Sequence, residues 1–183
     1  MGTFLSFHVK TNDRENLIRI LQERSNLIFE QSNEFPENIL DNPVYDMDCT
    51  PDFLAVNQPL NGWASILHNG FAKLHEWGIF ISAILGTSFI QIIAQENSDY
   101  YYFLYYSKGK LLRELEVDSM QLEIITDSGE KFSFEKNPVI TEYFEDENNF
   151  FNTDTLESYC KEFGLDIPAL YTGSNFILLK KQS

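Results

Sequence analysis

The side chains that could do chemistry in this sequence are carboxylates and tyrosines, and their spacing falls short of the familiar catalytic arrangements. Asp146 to Glu157, Asp-Glu-Asn-Asn-Phe-Phe-Asn-Thr-Asp-Thr-Leu-Glu, has the length of a calcium loop, with oxygen donors at its positions 1, 3, 9 and 12. Such a loop also needs a ligand at its fifth position and a glycine at the sharp turn that follows, where this chain has Phe150 and Phe151. Asp154 and Glu157 read more simply as a capping box that opens a short helix. His68 and His75 stand seven apart across a glycine without further ligands at zinc-binding spacing, and His8 sits inside a strand-like run. No serine lies in a GxSxG elbow, and neither a Walker loop nor a GxGxxG is present. No catalytic, cofactor-binding or metal-ligating residue is therefore assigned, and a non-enzymatic role is favoured.

One short constellation remains. The turn Asn97-Ser98-Asp99 sets a carboxylate and a hydroxyl beside Tyr100, at the head of a run from Tyr100 to Tyr106 with six aromatics in seven positions. Asp99, Tyr100 and Tyr102 are candidates to line a pocket for a small molecule or peptide. Ordinary turn chemistry, in which Asx or Ser bonds the local backbone, accounts for the same residues.

Charge carries the other signal. The net charge is -15, and most of it falls in two segments without a single Lys or Arg. Residues 25–72 hold Glu30, Glu34, Glu37, Asp41, Asp46, Asp48 and Asp52, and residues 137–160 hold Glu142, Glu145, Asp146, Glu147, Asp154 and Glu157. Such a surface repels phosphate backbones, which disfavours nucleic acid, and attracts a basic protein. Glu34, Glu37, Asp41, Asp46 and Asp48, with Glu145, Asp146 and Glu147, are the candidate partner-binding acids. Tyr45 and Phe53 are candidate apolar anchors, since interfaces need desolvated aromatic contacts as well as charge. Acidic loops that serve solubility alone would leave the same pattern.

These groups need a scaffold, and the pattern supplies one. Residues 88–95, 100–106 and 110–117 are apolar or β-branched runs separated by polar turns, which predicts a β-meander. In its middle strand Tyr100, Tyr102, Leu104 and Tyr106 take one face while Tyr101, Phe103 and Tyr105 take the other, so that strand is central. The meander continues through Met120 to Ile125, a turn at Asp127-Ser128-Gly129, and a strand at Lys131 to Phe134. Further strands are expected at Thr3 to Val9, Phe53 to Val56, Trp63 to Leu67 and Phe176 to Leu179. Asn12 with Glu15 caps a helix running to about Arg24, and Lys73 to Leu85 forms a second with Leu74, Trp77, Ile81, Ile84 and Leu85 inward, closed by Gly86. The third helix opens at Asp154. The expected class is α+β: one domain over residues 1–183, a mostly antiparallel meander sheet with two to three helices on one face, and a long acidic connection at about 31–60.

At 183 residues the chain can bury roughly two-thirds of its unfolded surface without a disulfide or metal staple. Cys49 and Cys160 form no CxxC pair, which suits reduced thiols in a cytoplasmic protein. Trp77 to Gln95 lacks charge, but Gly86-Thr87-Ser88 interrupts it, so a helix followed by a buried strand is expected rather than a membrane span. The start Met1-Gly2-Thr3-Phe4-Leu5-Ser6 matches the myristoylation pattern without a polybasic second signal, and no cleavable signal peptide is evident.

Between Asn61 and Val117, Gly62-Trp63, an amphipathic helix, Leu85-Gly86-Thr87, an aliphatic strand, Ser98-Asp99-Tyr100, an aromatic strand and Gly109-Lys110 follow in an order that resembles a group of uncharacterised small acidic bacterial proteins, some of immunity type. The resemblance covers about a third of the chain and carries no catalytic residues with it. What it implies is a small acidic cytoplasmic protein; the segregated charge adds the expectation that it neutralises a basic protein partner. The alternative on the residues alone is a small-molecule or peptide binder at Asp99, Tyr100 and Tyr102.

Overall fold

Two apolar sets that alternate along the middle strands decide the architecture, because a strand apolar on both sides is buried only when both faces of its sheet are covered. The computed structural model describes residues 3–24, 29–32, 51–121, 123–135, 151–167 and 176–181. In chain order these form β1 (Thr3–Lys10), α1 (Arg14–Arg24), β2 (Phe29–Ser32), β3 (Phe53–Asn57), β4 (Trp63–His68), α2 (His75–Ile84), β5 (Ser88–Gln95), β6 (Tyr100–Ser107), β7 (Lys110–Asp118), β8 (Glu123–Gly129), α3 (Thr153–Glu162) and β9 (Phe176–Lys181). The strands make one sheet in the order β2-β9-β3-β4-β1-β5-β6-β7-β8, with every pairing antiparallel. The class is α+β around a meander, as the pattern predicts.

On the first face Leu5, Phe7 and Val9 of β1, Phe89 and Ile93 of β5, and Tyr102, Leu104 and Tyr106 of β6 pack under Leu17, Ile20 and Leu21 of α1 and Trp77 and Ile81 of α2. On the second face Ile90 and Ile92, Tyr101 and Phe103, and Leu115 and Val117 pack under Leu156, Tyr159 and Cys160 of α3. The expectation of helices on one face thus describes α1 and α2, while α3 covers the other. Each large side chain fully buried here contributes about 1.5–3 kcal/mol, so neither face of β6 could stand open to water.

Local details depart from the sequence reading where a tertiary partner intervenes. Asp13, one residue past Asn12, caps α1 by accepting the Asn16 amide at 3.0 Å. Asn152 rather than Asp154 caps α3, accepting the Thr155 amide at 2.9 Å. Gly78 of α2 lies so close to Tyr106 that an added Cβ would stand 2.6 Å from the ring; Ile84, expected inward, is exposed instead, as is Ile79. Residues 127–129, expected to turn, run as the end of β8 against β7, since Arg113 holds both the Asp127 carboxylate and the Ser128 carbonyl. Lys131 to Phe134 is no strand; Phe132 and Phe134 stack on each other and against Phe163 beneath α3. β2 lies in a stretch without a strand pattern and forms by pairing with β9, far along the chain. Residues 77–95 divide at Gly86 (φ +60°) into α2 and β5, and no helix among the described residues is long and apolar enough to cross a membrane.

Candidate functional site

Antiparallel register builds the site. Tyr100, Tyr102 and Leu104 of β6 stand opposite Asp118, Glu116 and Glu114 of β7. The sequence Arg-Glu-Leu-Glu-Val from Arg113 therefore sends Leu115 and Val117 into the core of the second face and Glu114 and Glu116 onto the first, among the tyrosines. The remaining members come from the start of α2. Leu74 at the N-cap position has no side-chain cap. Its amide is accepted instead by the Gln91 side-chain oxygen at 2.7 Å, while Gln91 Nε2 donates to the Ala72 carbonyl at 2.8 Å. A fully buried amide in β5 thereby pins residues 72–74 to the sheet and sets Lys73 and His75 over β6 and β7.

Two linked carboxylate centres result. Glu116 accepts hydrogen bonds from Tyr100 at 2.8 Å, Lys73 Nζ at 2.6 Å and Thr126 of β8 at 3.0 Å. Glu114 accepts from Tyr102 at 3.0 Å and lies 3.1 Å from His75 Nε2, whose other ring nitrogen is 2.8 Å from the Tyr106 hydroxyl. Lys73 Nζ also sits over the Tyr102 ring, 5.3 Å from its centroid. The Glu116 and Glu114 side chains are only 5 % and 12 % exposed, whereas Lys73 and His75 reach solvent. Burial opposes ionisation of Glu116, but the hydrogen bonds from Lys73, Tyr100 and Thr126 outweigh it and hold its pKa below the usual carboxylate range. Burial, reinforced by the adjacent Glu116, raises the pKa of Tyr100; burial and the Glu114 charge raise that of Tyr102. Both phenols are hydrogen-bond donors at neutral pH, poorly suited to act as bases.

Of the residues picked from the sequence, Tyr100 and Tyr102 enter this network. Asp99 does not: it occupies a left-handed turn (φ 48°) after the short helical turn Glu96–Ser98, and its carboxylate lies 3.5 Å from the hydroxyl of Tyr101, on the other face. Phe53 is buried against Ala55, Leu67 and Leu178. Glu34, Glu37, Asp41, Tyr45, Asp46, Asp48, Glu145, Asp146 and Glu147 lie outside the described residues, as does the first part of the calcium-like stretch. Sequence reasoning missed Lys73, His75, Gln91, Glu114, Glu116 and Thr126. The available signal was two glutamates alternating with core residues on the strand beside an aromatic one.

Two further polar groups are buried in the sheet. His8 lies between Ser6 (3.1 Å) and Ser65 (2.9 Å), and His68 packs by Phe7 with its Nε2 unpartnered among the described residues. Burial lowers both imidazole pKa values to about 3. Arg113, fully buried, donates twice to Glu135 (2.8 Å each) and once to Asp127 (2.6 Å), tying the chain after β8 to the sheet. The His8 and Arg113 groups close on themselves and offer little to a ligand. Among the described residues no three His, Cys, Asp or Glu side chains are grouped to hold a metal ion. The site has to be understood from its own geometry, for no family model, curated protein or solved structure matches this chain.

Proposed function

We propose that this protein is a non-enzymatic binding protein that recognises a basic peptide or protein by receiving a cationic side chain at the Tyr100, Tyr102, Glu114 and Glu116 network. The observation that carries the reading is the imbalance of charge: two nearly buried carboxylates face a single lysine, beneath partly exposed Lys73 and His75. Lys73 displays the chemistry in place, with an ammonium between a carboxylate and the face of a tyrosine. A lysine or arginine brought to Glu114 would meet the same environment. The test is isothermal titration with a lysine heptapeptide and a glutamate heptapeptide. Binding of the first alone, weakened at least about tenfold in the Glu114→Gln, Glu116→Gln double variant, is expected from loss of a charge-assisted contact. Equal affinity of wild type and variant overturns the reading.

The segregated acids favour a second reading of the same class, a cytoplasmic protein of immunity type that neutralises a basic protein through Glu34, Glu37, Asp41, Asp46, Asp48, Glu145, Asp146 and Glu147. Reversing Glu37, Asp41 and Asp46 to lysine would then slow association with a captured basic protein and flatten its salt dependence. Unchanged kinetics would sink it.

A further inference from the structure

We propose that the outer edge of β8 receives an extended basic segment of the partner by strand addition; this rests on the reading of a basic partner and specifies how that partner is held. β8 ends the sheet order, and among the described residues it pairs with β7 alone. Every residue of β8 except Thr126 is exposed. Its middle is apolar, with Ile124 beside Ile125 at 49 % exposure, and Met120 stands 65 % exposed just before it. Edge strands are normally guarded by lysine, proline or a covering segment, and β8 contains neither of those residues.

Charge selects the occupant. Glu123 opens the strand and Glu130 follows it, both without an ion pair among the described residues, while Asp127 is held by Arg113 and Lys131. A second copy of this chain would bring its own net charge of -15 and lay acid near acid, whereas a basic strand with alternate apolar residues satisfies the glutamates and covers the isoleucines. The edge also borders the network, since Thr126 stands opposite Glu116 and donates to it. A residue added opposite Thr126 would be two strand spacings, about 10 Å, from Glu116, a gap that an arginine or lysine reaching toward a glutamate closes.

Fluorescence anisotropy of the full chain with a labelled Lys-Val alternating octapeptide tests this, compared with the same peptide N-methylated at its four central residues. Methylation removes amide donors on both peptide edges and keeps the charge. Saturable binding of the first, at least about tenfold weaker for the second and weakened again in Ile125→Lys, is the expected result; should that variant fail to fold, the peptide comparison decides alone. Equal affinity of the two peptides overturns strand addition while the basic-partner reading survives. Failure of both peptides to bind at low salt overturns both. Concentration-dependent dimerisation seen by light scattering and abolished by Ile125→Lys assigns the edge to a second copy and overturns the proposal.

Discussion

The hydroxyl of Tyr102 reaches Glu114 at 3.0 Å although the two residues are not partners in the ladder: Tyr102 stands opposite Glu116, and Glu114 opposite Leu104. The contact is a diagonal one across adjacent strands, within reach of a long aromatic side chain. Tyr102→Phe keeps the ring over which Lys73 sits and removes this donor. Among the described residues Glu114 then retains only the nearby His75, so a loss of about 1–2 kcal/mol is expected in denaturant unfolding. A change under 0.3 kcal/mol, on the order of experimental scatter, would mean that the contact contributes nothing.

Gln91 governs the site without belonging to it. Gln91→Leu leaves the Ala72 carbonyl and the Leu74 amide without their buried partner, at about 1–3 kcal/mol each. Stability should fall by roughly 2–6 kcal/mol, and lysine-peptide binding should weaken even though no group in contact with Glu114 or Glu116 has changed. Retained binding in the folded variant would show that residues 72–74 hold their place by other means.

Arg113 and Glu135 are 0 % and 1 % exposed as side chains, so each depends on the other. Arg113→Met strands the Glu135 carboxylate, and a loss of about 3–5 kcal/mol is expected. Arg113→Lys should rescue little, because the two parallel donations to Glu135 need a planar guanidinium. Pairing Arg113→Met with Glu135→Leu should recover part of the loss; thermal unfolding of the three variants separates these outcomes.

The buried imidazoles set an acid limit on the fold. His8 and His68 ionise near 6.5 in the unfolded chain and near 3 in the folded one. Between those values the unfolded state binds more protons, so stability is full above about pH 6.5 and falls as pH drops toward 3. The slope is about 1.4 kcal/mol per pH unit for each imidazole. His68→Gln removes one of the two, and the slope of unfolding free energy between pH 6 and pH 5, above the carboxylate range, should be roughly halved. An unaltered slope would mean that His68 is not buried neutral. Glu116, with its lowered pKa, loses its contribution only at still lower pH, as it protonates, and acts in the same direction.

Much of the scaffold is legible in the sequence because it depends on short-range periodicity. The alternation from Tyr100 to Tyr106 gives a strand apolar on both faces, and the structure places it third from the end of the sheet with cover on both sides. Gly86 and Gly164 end their helices in the left-handed region, a role open to few other residues. Cap positions are legible only to within one or two residues, since Asn12 and Asp13, or Asn152 and Asp154, are chemically interchangeable until the first turn of the helix is placed.

By itself the sequence determines the α+β class, the meander and the acidic character, all of which follow from local pattern and composition. Tertiary structure alone decides the site. Glu114 and Glu116 become a shared centre with Tyr100 and Tyr102 only through the register of β6 against β7, and Lys73 and His75 join them only because Gln91, on a different strand, holds the start of α2. Tertiary structure likewise turns residues 127–129 from a turn into the end of β8, because Arg113 offers them bonds that no local pattern announces. A hydrogen bond between residues distant in the chain leaves no periodicity behind, and so the scaffold is written in the sequence while the site emerges only when the strands are laid side by side.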